Sequence, residues 1–219
     1  SSDLKDDAAR KPDEVLQFAG IAPGMNVVEI EAGTGYYTEI MSRIVGEDGK
    51  ITMVNPQVFD TFFAPDTFDK RLGADGKRLG NVVHSRTMFD KLDIADASAD
   101  MVTWVLGPHE LWLKDKEGNL TLGAPDVVYS EIFRVLKPGG VFLAIDHKAP
   151  EGAPETTGGD THRIDENAVR ARAVAAGFKQ IAASDALAND TDDHTLLVFD
   201  PKVRRKTDRF IHLYQKPAQ

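Results

Sequence analysis

Apolar positions recur along this chain in two rhythms. Short runs dense in Val, Ile, Met and Leu (Asn26–Glu31, Lys50–Asn55, Asn81–Ser85, Ala99–Leu106 and Val141–Asp146) alternate with segments of helical periodicity at Tyr36–Val45, Pro125–Leu136 and Glu166–Ala176. Such runs, bounded by Gly and Pro, predict strands with both faces buried, joined by crossover helices. Two further strands are expected at Phe178–Leu187 and Asp208–Gln215, after the last helix. Lys11–Ala19 reads as a helix that Gly20 ends, and Pro23-Gly24 turns the chain into the first strand. The stretch Pro56–Gly80, with Phe59, Phe62, Phe63 and Phe68, predicts one or two short helices and a loop near Gly73–Gly76. Lys114–Leu122 suggests a hairpin or lid, and the Gly/Pro-rich Ala149–Asp160 a flexible lid. Ser1–Arg10 is polar and is expected to be a flexible arm or a capping helix. Alternating strands and helices predict one Rossmann-like, doubly wound α/β domain over residues 1–219, with about seven strands.

One junction carries chemistry. Val27-Val-Glu-Ile-Glu-Ala-Gly-Thr-Gly35 takes an apolar strand through an acid into a Gly-x-Gly turn, and a helix starts at Tyr36. Glycines there let a ligand approach the backbone, and the helix offers its free N–H groups to an anion.

Composition narrows the field. The chain has 219 residues, 42% hydrophobic and 28% charged, with a formal net charge of −9, which argues against general affinity for nucleic-acid phosphates. Its apolar runs are far shorter than a membrane span. It contains no cysteine, which removes thiolate nucleophiles, thiolate metal sites and disulfides. There is no His-x-x-x-His, His-Glu-x-x-His or Gly-x-Ser-x-Gly, so neither a metal site nor a serine elbow is expected. The sequence opens at Ser1 without an apolar leader, compatible with a cytoplasmic or a periplasmic protein.

The Gly-x-Gly junction resembles motif I of the class I S-adenosylmethionine (SAM) methyltransferases, with Glu31 in place of the first glycine. Ala97-Ser-Ala-Asp-Met-Val102 resembles their approach to strand four, and Arg134-Val-Leu-Lys-Pro-Gly-Gly140 the turn before strand five. His162-Arg-Ile-Asp165, Ala175-Ala-Gly-Phe178 and Lys206-Thr-Asp-Arg-Phe210 are similar to a bacterial subgroup of "predicted methyltransferases". The resemblance implies the class I fold with one antiparallel strand and SAM as cofactor. Gly33 and Gly35 would line the cofactor, with Glu29 supporting the turn. Asn55 would stand where an acid usually takes the ribose hydroxyls, and Met88 near the adenine.

Candidates for chemistry fall beyond the C-terminal ends of the strands, where such sheets bind ligands. His109 suits a general base, with Glu110 orienting it or binding a cation. Asp146-His147 pairs an acid with a second candidate base; adjacent strand residues point to opposite faces, and His147 is expected to face the site. Arg163 could clamp an anionic substrate, and His162 could act in the site or cap a helix. Tyr36 or Tyr37 should face the cleft. Two functions are compatible with this set. One is a SAM-dependent methyltransferase acting on a small organic molecule. The other is a SAM-independent lyase or isomerase of a small aromatic or anionic compound, with Glu31, Tyr36, His109, His147, His162 and Arg163 as its acid–base machinery. Neither nucleic acid nor membrane is expected as a partner.

Overall fold

A computed structural model describes residues 3–218. In chain order the elements are α1 (Leu4–Arg10), α2 (Pro12–Ala19), β1 (Asn26–Ile30), α3 (Tyr36–Val45), β2 (Lys50–Val54), α4 (Thr67–Leu72), β3 (Val82–Ser85), β4 (Ala99–Val105), α5 (Pro125–Val135), β5 (Leu136–His147), α6 (Thr157–Thr161), α7 (Glu166–Ala175), β6 (Lys179–Ser184) and β7 (Arg209–Gln215). Two 3-10 turns, Gln57–Phe62 and Pro108–Trp112, follow β2 and β4. No helix among the described residues is long and apolar enough to cross a membrane.

The strands form one sheet in the order β3-β2-β1-β4-β5-β7-β6. β7 runs antiparallel to both β5 and β6, and the other pairings are parallel. Alternation along the strands supplies a core on each face. Val28, Val102, Trp104, Phe142, Ala144 and Tyr214 pack with α5 and α7 on one side. Val27, Met101, Leu143, Ile145 and Ile211 pack with α2 and α3 on the other. Chain order reverses between β1 and β4, and the C-terminal ends of those strands border the crevice that this topology reserves for ligands.

Most expected elements recur with end shifts of a residue or so, but β6 stops at Ser184, three residues short of Leu187, and a short helix, α6, forms at the end of the segment expected as a lid. β5 starts at Leu136, so that Lys137–Gly140 belongs to the strand. Of the segment expected as a flexible arm or a capping helix, Leu4 to Arg10 are helical, and Ser1 and Ser2 lie outside the described residues. α1 buries no residue of its own and is fastened by polar contacts. Tyr36 donates to Asp7 at 2.5 Å, Tyr37 donates to the Arg10 carbonyl at 3.0 Å, and the Arg10 guanidinium lies 4.8 Å from the Tyr36 ring centre.

Candidate active site

The crevice between β1 and β4 holds two clusters. The first is the Gly turn after β1. Gly33 and Gly35 have φ of +57° and +81°, where a side chain is strained, and a Cβ on Gly33 would enter open space. Asn55 pins this turn: its Oδ1 accepts from the Gly33 N–H and its Nδ2 donates to the Gly33 carbonyl, both at 2.9 Å. Asn55 is therefore turned inward, and its hydrogen bonds support the loop instead of standing ready for ribose hydroxyls. Arg71 on α4 reaches over the same turn and donates to the Thr34 carbonyl at 3.0 Å. Glu29 is buried under α3 and accepts from the Thr38 hydroxyl. Loss of hydration raises its pKa to about 8, against the lowering effect of Thr38 and the more distant arginines. Met88, half-buried, sits in the bend after β3.

The second cluster lies across the crevice. Just past β4, Leu106 has φ +59°, and Gly107 leads into the turn carrying His109 and Glu110. His109 is 3% exposed. Asp146, fully buried near the end of β5, accepts from the His109 backbone N–H through Oδ2 and meets His109 Nδ1 through Oδ1, both at 2.7 Å. An ionised carboxylate can only accept, so His109 keeps its proton on Nδ1 and turns Nε2 outward. That Nε2 lies 3.0 Å from His162 Nδ1. Glu110 Oε1 is 3.7 Å from each of these two nitrogens. Burial lowers the His109 pKa, but the charge and hydrogen bond of Asp146, with Glu110, outweigh it and leave the net shift upward.

Glu31 links the two clusters. At φ +56° it occupies left-handed backbone where the motif has glycine. Its Oε2 accepts from Trp104 Nε1 at 2.9 Å. Gly107 makes room for this contact, since a Cβ there would lie 2.1 Å from Trp104 Nε1 and 2.2 Å from Glu31 Oε2. Loss of hydration, then the negative charge of Glu110, push the Glu31 pKa well above the carboxylate range against the Trp104 hydrogen bond; Asp146 and a hydrogen bond shared with Glu110 add to the rise.

Several expected roles change. His147 sits on the face opposite Asp146, as strand alternation requires, and its Nδ1 pairs with the Thr207 hydroxyl at 2.6 Å. Burial, then His109 and nearby arginines, hold its pKa well below the imidazole range, so the supporting acid Asp146 belongs to His109 and His147 is the weaker base. Arg163 is fully buried, grips both Asp192 oxygens at 2.9 and 3.0 Å, and also donates to the Leu196 and Lys148 carbonyls; it is a strut and cannot clamp a substrate. The Tyr36 hydroxyl faces Asp7 on α1, and burial with that hydrogen bond pushes its pKa above the phenol range. His162 does join the site, at φ +54°, while Asp165 caps α7 by accepting from the Asn167 N–H at 2.9 Å. The segment expected to be a free lid is fastened: a Cβ on Gly158 or Gly159 would lie 2.2 Å from the His109 carbonyl oxygen or 2.6 Å from that of Trp112. His84 packs against Phe68 with the rings tilted by 45°, and His194 and His212 pair with Asp208 and Glu166.

Comparison with known proteins supports the topology. The family model described as protein-L-isoaspartate(D-aspartate) O-methyltransferase matches residues 10–58, the α2–β1–α3–β2 portion. The ubiquinone/menaquinone biosynthesis C-methyltransferase UbiE of Shewanella pealeana is 29% identical over 136 residues, covering 62% of this chain and 48% of that protein. The UbiE of Hydrogenovibrio crunogenus is 29% identical over 131 residues, covering 60% and 45%. This chain thus spans about half the length of the curated relatives it matches. A SAM-dependent methyltransferase from Aquifex aeolicus superposes with a TM-score of 0.65 at 21% identity, covering 94% of this chain and 89% of that one. The cyclase SpnF superposes with a TM-score of 0.69 at 19% identity, covering 97% and 82%. The fold is that of the class I methyltransferases. Within that fold, the Gly33–Gly35 turn follows β1, and the Asp146–His109–His162 row stands across the crevice from it.

Proposed function

We propose that this chain is a SAM-dependent methyltransferase acting on a small organic substrate, with His109 as the group that accepts the substrate's proton. The observation that carries this reading is the row Asp146–His109–His162, placed across the β1/β4 crevice from the motif I turn. The turn suits SAM: there is open space over Gly33, the start of α3 lies beside it, and the carboxyl groups of Glu31 and Glu110 could receive an ammonium. Gly33 and Gly35 would hold the cofactor, Glu29 would stiffen the turn from beneath, and Met88 would border the adenine. When bound, SAM supplies an electrophilic methyl group. The rest is this chain's own work. Asp146 fixes the His109 tautomer and stabilises the imidazolium formed when Nε2 takes a proton from an O, N or C nucleophile. His162, half-buried, offers that proton a route outward.

Calorimetric titration of the full chain with SAM and with S-adenosylhomocysteine tests the cofactor assignment. Micromolar binding near one per chain supports it, and neither heat nor thermal stabilisation at millimolar ligand overturns it. Once an acceptor is found, His109→Ala should lower turnover by about 10²–10⁴-fold, the usual contribution of general acid–base catalysis.

A second reading draws on Glu31 and Asn55. Asn55 spends both ends of its amide on Gly33, and Glu31 holds a proton beside Trp104 and Glu110, as a general acid would. On this reading the chain is a SAM-independent lyase or isomerase of a small aromatic compound, with Glu31 and His109 as acid and base. Glu31→Gly separates the two: it preserves or tightens SAM binding in a methyltransferase and abolishes turnover in the repurposed enzyme.

A further inference from the structure

We propose that His109 Nε2, His162 Nδ1 and Glu110 Oε1 form a binding site for a first-row divalent transition-metal ion such as zinc. The three donor atoms close a triangle with sides of 3.0, 3.7 and 3.7 Å. Donors arranged tetrahedrally on an ion with metal–ligand bonds of roughly 2.0–2.1 Å stand about 3.3–3.4 Å apart. The observed sides bracket that spacing, so small side-chain rotations suffice to seat an ion. Two imidazoles and a carboxylate make up the ligand set of many catalytic zinc and non-haem iron centres, which keep a position open for water or substrate oxygen.

The surroundings support the ligands. Asp146 holds His109 Nδ1–H at 2.7 Å and so aims the Nε2 lone pair into the triangle, the carboxylate–histidine–metal arrangement in which an outer acid orients a ligand. Glu31, held by Trp104 Nε1 at 2.9 Å, is a charge neighbour of Glu110, the second ligand. His162 adopts a left-handed backbone conformation that disfavours side chains, and it thereby places Nδ1 opposite His109. Gly158 and Gly159 let the segment before His162 close against the His109–Trp112 turn, so the geometry is fastened on both sides. Sequence spacing could not reveal the site, because the two histidines stand 53 residues apart.

Without an ion, one proton is shared between His109 Nε2 and His162 Nδ1. With one, the cation takes that place, His162 carries its proton on Nε2 instead, and the open position acidifies a bound water or substrate hydroxyl, whose proton passes to the buffer. The inference goes beyond the proposed reaction and changes it at one point: ion and proton compete for His109 Nε2, so in the loaded site acidification of the bound water or substrate hydroxyl replaces proton acceptance by His109.

The test uses the full chain, stripped with chelator and titrated with ZnSO4 by calorimetry in two buffers of different ionisation enthalpy, and with CoCl2 by visible absorption. Expected are about one ion per chain, proton release on binding, and a Co(II) ligand-field band of a low-coordinate N/O site. Glu110→Gln and His162→Gln should each weaken binding by at least about 100-fold, and Asp146→Asn by about 10–100-fold. Melting curves taken without metal confirm that each variant is folded. If the parent gives no Co(II) band, or if Glu110→Gln and His162→Gln bind zinc as the parent does, the site is refuted. SAM titration of the same metal-free sample keeps this outcome separate from that of the proposed function.

Discussion

The two sides of the crevice use their polar groups in opposite ways. Around the Gly33–Gly35 turn they satisfy one another: Asn55 serves Gly33, Arg71 serves Thr34, Thr38 serves Glu29 and Tyr36 serves α1. Across the crevice, His109, His162, Glu110 and Glu31 crowd together with protons to share, and Glu31 and His162 sit on disfavoured backbone. The first side is a frame that stays in place when chemistry happens. The second is an arrangement that only a reaction or a ligand would relieve. A motif that marks a family can thus mark scaffold, while what is particular to the chain lies opposite.

The largest effect that would sharpen this contrast concerns Glu29 in the frame. Its folded pKa, raised from 4.5 to about 8, means that the folded state takes up a proton between those values. The stabilisation is therefore complete below about pH 4.5 and lost as pH rises through about 8, on the order of 3–5 kcal/mol across the window. Glu29→Gln keeps an acceptor for Thr38 and should flatten that part of the profile in urea unfolding at pH 5, 7 and 9. A variant profile parallel to the parent's would mean that Glu29 is ionised under α3.

Next is Gly107→Ala, whose new methyl meets Trp104 Nε1 and Glu31 Oε2. Overpacking of this kind costs about 1–3 kcal/mol, and the Glu31–Trp104 contact should separate, seen as a changed Trp fluorescence spectrum. An unchanged spectrum would argue that the crevice is looser than the contrast requires. Smallest is Tyr36→Phe, which removes one hydrogen bond to α1, about 0.5–1.5 kcal/mol. It should speed proteolysis near Arg10 while leaving turnover alone; lost turnover would return Tyr36 to the site.

Much of the architecture was legible in the sequence because it rests on local signals. Apolar runs and Gly/Pro punctuation located the seven strands, and the Gly-x-Gly turn located the start of α3. The site was legible in its members more than in their partners. His109 and His162 were recognisable as residues near the ligand edge, and strand alternation already held the clue that Asp146 and His147 face apart. Which of the two would support His109 depended on the sheet face against which the 108–112 turn packs, and no local pattern encodes that. Arg163 shows the converse. A lone arginine after a Gly-rich loop looks available, and only the distant Asp192 reveals that it is already spent.

The backbone at Glu31 has an evolutionary consequence. A residue with a side chain in left-handed conformation sacrifices roughly 1–2 kcal/mol that glycine would recover, and glycine is what the motif ordinarily places there. A population under selection for robustness alone would drift back to it in one codon step, since glutamate and glycine codons differ at a single base. Under the reading in which Glu31 is a catalytic acid, keeping it is a stability–activity trade-off at a single position. In a deep mutational scan, Glu31→Gly should rank among the abundance-neutral or abundance-raising substitutions, and it falls among the activity-lowering ones only in the repurposed enzyme.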